Sequence, residues 1–465
     1  MVRRFAWPVV VLVLMNACGA WAQGTLPPEL QQKIDKIANE TLASTGVPGA
    51  SIAVVKDGKI AYLQAYGKNS IDPPGPAKTT MRYSIGSVSK QFTACAILML
   101  AEQGKLSLDD PVGKYVSGLT RGNEVTIRQL LSHTAGYQDY WPQDYVMPSM
   151  LKPTTAKEIV EQWGHKPLDF DPGTERQYSN TGYVIAGMVV EKAAHKPLLE
   201  FLHERVFGPL GMKTPLNIDQ ETMTFSDARG YRRYALGPLH PAPKEGRGWL
   251  FAAGELAMTA EDVAKWDVSV IGQTLMKPAS YVEFEKEVLL KNGLGTQYAL
   301  GIGVREQWDR RVLAHSGEVS GFTAMNLVLP DDHAAVVVLT NEDAAPAAAQ
   351  IAQNVAPLLV ASEDAAKTEQ AKKIFEGLQH GKIDRALFTE NANFYFSEQA
   401  IHDFAESLGP LGAPQEFEQE GHGLRGGMTK RSYRVKCGQK MLRAWTYELP
   451  DGKLEQFQVA AAGDD

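Results

Sequence analysis

Residues 83–104, YSIGSVSKQFTACAILMLAEQG, decide how the rest of the chain can be arranged. Phe92, Cys95, Ala96, Met99 and Leu100 recur at helical spacing, and Ala94, Ile97 and Leu98 make the other side nearly as apolar. A helix apolar all round belongs in a core. The pattern predicts a buried helix with Ser84 or Ser87 as N-cap and Gly104 as C-cap. Ser87 and Lys90 stand three apart and therefore on one face of it. A buried lysine is costly unless something uses or pairs it. A serine hydroxyl one turn from an amine that burial drives toward neutrality is a nucleophile beside a base. The free N–H groups of a helix start also suit a developing oxyanion.

Working outward, residues 24–46 read as an amphipathic helix, with Leu30, Ile34, Ile37 and Leu42 apolar among charged neighbours. Residues 50–55 and 60–66 read as two strands joined at Asp57-Gly58, a hairpin signal. Further strands are expected at 298–304, 311–315, 323–329 and 334–340, then a helix over 344–359. The expected fold class is α/β in the α+β sense, an antiparallel sheet flanked by helices. Residues 137–153, rich in Tyr, Trp, Pro and Asp without periodicity, form a long loop of the kind that walls a site. The chain has 465 residues, so two domains are expected. A polar, Ala-rich stretch at 361–372 reads as a linker between a domain at 23–360 and a small α+β domain at 373–465 with meander strands.

The formal net charge of -7, with no basic run, argues against nucleic acid as a partner. Residues 1–22 read as a signal peptide. Arg3 and Arg4 precede the apolar run Val9 to Met15, and Ala20-Trp21-Ala22 is a cleavage site leaving Gln23 first. Cys18 follows a poor lipobox, so an exported, periplasmic or secreted chain is expected rather than a lipoprotein, with no transmembrane segment after cleavage. Cys95 and Cys437 are then the remaining cysteines, which is no disulfide framework.

Ser-x-x-Lys occurs twice, at Ser87/Lys90 and at Ser149/Lys152, and in the second Pro153 prevents a following helix. Two other short patterns occur once each: Tyr178-Ser179-Asn180, expected in a loop between helices, and His315-Ser316-Gly317, expected to close a strand. There is no Gly-x-Ser-x-Gly, no His-Glu-x-x-His and no P-loop. In this order the three motifs resemble the penicillin-recognising serine hydrolases, the group of class C β-lactamases, D-alanyl-D-alanine carboxypeptidases and family VIII esterases. The resemblance extends through YSIGSVSK, LLSHTAG (130–136), PGTERQYSNTGY (172–183) and HSGEVSGF (315–322), and covers residues 28–360.

The resemblance implies a sheet with an all-helical subdomain and an acyl-enzyme mechanism. Ser87 would be the nucleophile, with Lys90 and Tyr178 sharing the general-base task. Asn180, His315, Ser316 and Gly317 would bind substrate, and the backbone N–H groups of Ser87 and Glu318 would form the oxyanion hole. Lys90 and Tyr178 ordinarily titrate near 10, so serving near pH 7 needs a drop of about three units, roughly 4 kcal/mol. A charged Lys90 would favour tyrosinate, and burial would disfavour the lysine's charge. His315 stands where class C β-lactamases carry the Lys of Lys-Thr-Gly, which points to peptide or ester substrates and weak β-lactam hydrolysis. The alternative is a penicillin- or peptide-binding module without turnover. No cofactor and no metal site are expected, since the ten histidines show no ligand spacing. The C-terminal domain more loosely resembles the nuclear-transport-factor-like fold. There Tyr395, His402, Tyr433, Arg443 and Trp445 are candidate pocket residues, though ordinary core and surface is the simpler reading.

Overall fold

The computed structural model describes residues 25–308, 310–360 and 363–462, so the expected signal peptide lies outside the described residues. The chain divides into two compact units, residues 1–360 and 361–465.

The first unit is built on an antiparallel seven-stranded sheet. Its strands are Gly49–Lys56 (β1), Lys59–Ile71 (β2), Pro74–Pro76 (β3), Gly303–Gln307 (β4), Arg310–Val319 (β5), Phe322–Leu329 (β6) and Ala334–Thr340 (β7). Their order across the sheet is β3-β2-β1-β7-β6-β5-β4. The central strands are buried on both faces, and their side chains alternate between two cores. Ile52, Val54, Val336 and Val338 pack under the helices Pro28–Thr45 (α1) and Ala347–Val355, with Ile34, Ala38, Ile351 and Val355. Ala53, Val55, Val337 and Leu339 point the other way, into the core that holds Phe92, Tyr183 and Trp266. That core joins the sheet to the helices Lys90–Glu102 (α2), Asn180–Ala194 (α3) and Ala260–Gly272 (α4).

Residues 88–100 of the stretch are buried as the pattern requires, but 83–104 is not one helix. Tyr83–Ser84 is a short strand paired with Leu256–Met258, Gly86–Ser89 is a 3-10 turn, and α2 begins only at Lys90. Neither Ser84 nor Ser87 caps it. The sheet pairing wins because it satisfies the backbone before the turn: Ile85 N–H donates to the Leu256 carbonyl at 3.0 Å, and the Ser89 hydroxyl accepts from Leu256 N–H at 3.2 Å. Gly104 has the left-handed conformation expected just beyond the helix end.

Strand β5 runs on through Val319, so His315-Ser316-Gly317 lies inside a strand rather than at its end. The strand expected at 298–304 starts at Gly303, because Thr296 to Ile302 is spent on turns. Pairing of β5 with β4 stops at Ala314–Gly303, which leaves residues 315–319 with β6 as their one strand neighbour.

In the second unit, Glu363–Gln379 is a single helix, so residues 363–372 of the stretch read as a linker are helical. The same Ala, Glu, Lys and Gln residues that read as a linker are strong helix formers. A four-stranded meander follows: Glu416–Arg425, Met428–Cys437, Lys440–Glu448 and Leu454–Ala461. The five pocket candidates do not share a face. Tyr433 is fully buried opposite Ala444, whereas Arg443 and Trp445 alternate to the other side of the sheet and His402 is exposed.

A buried polar chain ties α2 to the sheet and to α4. Trp266 Nε1 donates to Gln91 Oε1 (2.9 Å), Gln91 Nε2 to Asn326 Oδ1 (2.9 Å), and Asn326 Nδ2 to both carboxylate oxygens of Asp267 (2.8 Å each). Burial pushes the Asp267 carboxyl up to about 8, with the Asn326 amide as the opposing influence. A carboxyl raised on folding favours the native state when protonated, so its contribution falls as pH climbs from the ordinary carboxylate range toward 8. Asp267→Asn is therefore expected to raise the melting temperature relative to wild type more at pH 8 than at pH 5. Equal shifts at the two pH values in thermal melts would contradict this.

Candidate active site

The three motifs meet at the junction of α2, α3 and the free edge of β5. Ser87 sits in the 3-10 turn, and Lys90, the first residue of α2, is wholly buried. Lys90 Nζ has three partners. Ser87 Oγ is at 3.0 Å, Asn180 Oδ1 at 2.8 Å and the Ala253 carbonyl at 2.7 Å. Burial lowers the Lys90 amine to about 7, against the nearby charge of Asp139, which raises it. Two of its three partners are carbonyl oxygens, which only accept. A neutral Lys90 must donate both its N–H groups to them, which leaves its lone pair for the Ser87 hydroxyl.

Tyr178 presents its ring to Lys90, with Nζ 4.9 Å from the centroid, and the Ser87 hydroxyl lies close enough to influence its phenol. Burial raises the Tyr178 phenol above its ordinary value, partly offset by the Ser87 hydroxyl. Burial thus moves the two groups apart, lowering Lys90 to about 7 and raising Tyr178. The ring is backed by His133, 4.2 Å between centroids, whose Nδ1 accepts from Ser179 N–H at 3.1 Å. Tyr178 lies just before α3, while Ser179 is its N-cap, accepting from Gly182 N–H, and Asn180 is its first residue rather than a loop residue.

Asn180 is fixed at both ends of its amide. Oδ1 takes Lys90 Nζ, and Nδ2 donates to Asp139 Oδ2 at 3.2 Å, while Asn180 N–H donates to Asp139 Oδ1 at 3.1 Å. Sequence reading missed Asp139. Its signal was its position three residues past LLSHTAG, at the start of the loop expected to wall a site. It also missed the Ala253 carbonyl, for which no side chain gives a sign.

His315 is buried, and Tyr298 Oη meets its Nε2 at 2.7 Å. Burial, with the Lys90 charge adding, lowers His315 to about 3, so it is neutral at physiological pH. Ser316 and Glu318 are exposed on the cleft side of β5. The close approach of β5 to the serine turn depends on two glycines. A Cβ on Gly317 would lie 1.9 Å from the Ile85 carbonyl oxygen, and one on Gly86, at φ +50°, would lie 2.6 Å from Glu318 N. The backbone around Ser87 and the backbone of Glu318 are thereby brought together. The cleft above Ser87 holds about 470 Å³ and is also lined by Tyr178, Asn180, His315 and Ser316. Among the described residues no group of three or more His, Cys, Asp or Glu is arranged to hold a metal, and no helix is long and apolar enough to cross a membrane.

Residues 34–359 match the family model described as Beta-lactamase. The chain belongs to that family. It is 29% identical over 330 residues to Protein flp of Staphylococcus aureus (strain MW2), covering 68% of this chain and 64% of that one. It is 26% identical over 350 residues to the D-aminopeptidase of Brucella anthropi, covering 74% and 66%. The chain thus spans just under two thirds of the length of these curated relatives. The crystal structure of a D-stereospecific amidohydrolase from Streptomyces sp. superposes with a TM-score of 0.60 at 25% identity, over 69% of this chain and 96% of that one. The penicillin-recognising serine hydrolase resemblance read from the motifs holds, and so does the antiparallel α/β fold with a separate C-terminal sheet unit.

Gly317→Ala is expected to push the Ser87 turn off β5, at a cost on the order of 1–3 kcal/mol and several degrees in melting temperature. A melt superimposable on wild type would show that the turn and strand can separate freely.

Proposed function

We propose that the protein is an exported serine hydrolase that cleaves an ester or amide through an acyl-enzyme, on small D-amino-acid amides or peptides rather than β-lactams. The observation that carries this is the 3.0 Å approach of Lys90 Nζ to Ser87 Oγ with both other Lys90 partners fixed as acceptors. Neutral Lys90 removes the Ser87 proton as Oγ attacks the carbonyl carbon. The new C–O bond forms and the carbonyl electrons move to oxygen. The Ser87 and Glu318 backbone N–H groups receive that charge. The amide or ester bond then breaks, and the leaving amine or alcohol takes the proton by way of Lys90 and Tyr178. Water repeats the sequence on the acyl-serine, releasing the acid and restoring Ser87.

Asn180 keeps a second Nδ2 hydrogen for the substrate's carbonyl, with Asp139 holding the amide in place. His315 being neutral supports the turn away from β-lactams, because it brings no fixed charge to the strand. The D-aminopeptidase and D-stereospecific amidohydrolase among the similar proteins support the D-amino-acid class. The basic start, apolar run and Ala20-Trp21-Ala22 site of the first residues support export.

Ser87→Ala should lose at least ~10³-fold in kcat. It should also lose the covalent mass adduct that a fluorophosphonate leaves on the wild type. Retained adduct or retained turnover in the variant would overturn the assignment. An adduct with D-amino-acid amides that never turns over would favour the binding-module reading instead.

The pH profile follows from Lys90. Its base form is populated above about 7, so kcat/KM on a D-amino-acid amide should rise through that pH. Asp139→Asn removes a charge that raises Lys90, so the acid limb should move to lower pH and kcat should fall as Asn180 loses its anchor. A limb that stays in place would contradict the coupling of Asp139 to Lys90.

A further inference from the structure

The cleft has two lobes of opposite charge, joined at the reacting groups. A second cavity of about 330 Å³ shares Tyr178, His315 and Ser316 with the first, so those three residues form the border between them. The Ser87 lobe is lined by four acids, Asp139, Asp144, Glu318 and Asp343, and by no lysine or arginine. None of the four makes an ion pair among the described residues. Asp139 is held by Asn180, Glu318 Oε1 accepts from Ala344 N–H at 2.9 Å, and Asp343 Oδ2 accepts from Gly321 N–H at 2.9 Å. Although Glu318 is open to the cleft, partial desolvation of its carboxyl pushes it up first, the Ala344 N–H opposes this, and the charges of Asp144 and Asp343 add to the rise.

The other lobe is lined by two arginines, Arg176 and Arg305, and by no acid. Neither arginine has a carboxylate partner among the described residues. Arg176 is not loose: its guanidinium stands 4.9 Å from the Tyr298 ring centroid, and the Tyr298 hydroxyl meets His315. Arg176 thus places a permanent positive charge beside the neutral His315, at the border with the serine lobe. A guanidinium presents a fork of donors that matches a carboxylate.

We propose that the substrate is a short dipolar peptide lying across this border, its free amine in the acidic lobe and its free carboxylate against Arg176 and Arg305. The scissile carbonyl then sits over Ser87. The departing amino acid carries the carboxylate out through the arginine lobe, and the acyl-enzyme retains the amine. This rests on the serine-hydrolase reading above and narrows it to one substrate class, with Arg176 and Arg305 as its specificity-determining residues.

Four forms of one dipeptide test it: D-alanyl-D-alanine, its N-acetyl derivative, its C-terminal amide, and the doubly blocked compound. The free dipeptide is expected to give the highest kcat/KM, with each block costing roughly tenfold or more, the worth of a hydrogen bond to a charged group. In Arg176→Gln/Arg305→Gln the ratio of free acid to C-terminal amide should collapse toward one. In Asp144→Asn the ratio of free amine to N-acetyl should fall. A blocked dipeptide cleaved as fast as the free one, or a ratio unmoved by the arginine pair, would overturn the dipolar substrate while leaving the serine hydrolase standing. Failure of all four forms to acylate Ser87 while a fluorophosphonate still labels it would overturn the dipolar substrate alone, and failure of the fluorophosphonate as well would overturn both.

Discussion

The structure around the cleft depends on one amine with three neighbours. Lys90 is buried where a charge is expensive, and the two carbonyl oxygens on it demand donors, not protons. A neutral amine satisfies both and has one direction left, toward Ser87 Oγ. The same burial that lowers the amine to about 7 also fixes which way its lone pair points. Proton affinity and geometry are thus set together, by the placement of Asn180 and Ala253 rather than by any charged partner in contact.

Those placements rest on the scaffold in layers. Asn180 is held because it opens α3 behind a serine cap and because Asp139 takes its amide and its backbone N–H. Ala253 is held in the segment leading to Leu256–Met258, which pairs with the strand before the serine turn. Gln91, next to Lys90, is locked into the Trp266–Asn326–Asp267 chain, so the start of α2 cannot rotate without breaking buried hydrogen bonds. Gly86 and Gly317 then let β5 close on the turn to within backbone contact. No single element makes the site. It exists where a strand edge, two helix starts and one loop converge.

Much of this was legible in the residues. The apolar run after Lys90 implies burial, and a lysine buried there has to be used or paired. The alternation in β1 and β7 and the turn at Asp57-Gly58 gave the centre of the sheet. Less legible was what depends on non-local pairing. Nothing between residues 83 and 89 announces that Leu256–Met258 will pull Tyr83–Ser84 into a strand and delay the helix. Nothing in His315-Ser316-Gly317 says that β5 outruns its neighbour β4 and so leaves an edge open. The roles of Asp139 and Tyr298 also come from tertiary contact, since each lies in an irregular stretch with no periodicity to read. The helix from Glu363 reads as a linker in the sequence because its first turns lack an apolar stripe strong enough to see.

The titration of Lys90 itself is the most direct measurement. Lysine labelled with ¹⁵N at Nζ, with Lys90→Met used to assign the resonance, reports the protonation of this amine independently of any substrate. The account predicts a midpoint near 7 in the folded protein, about three units below an ordinary lysine. A Lys90 resonance that stays in the ammonium range beyond pH 10 would contradict it, because a charged amine with three acceptors has no lone pair to offer Ser87.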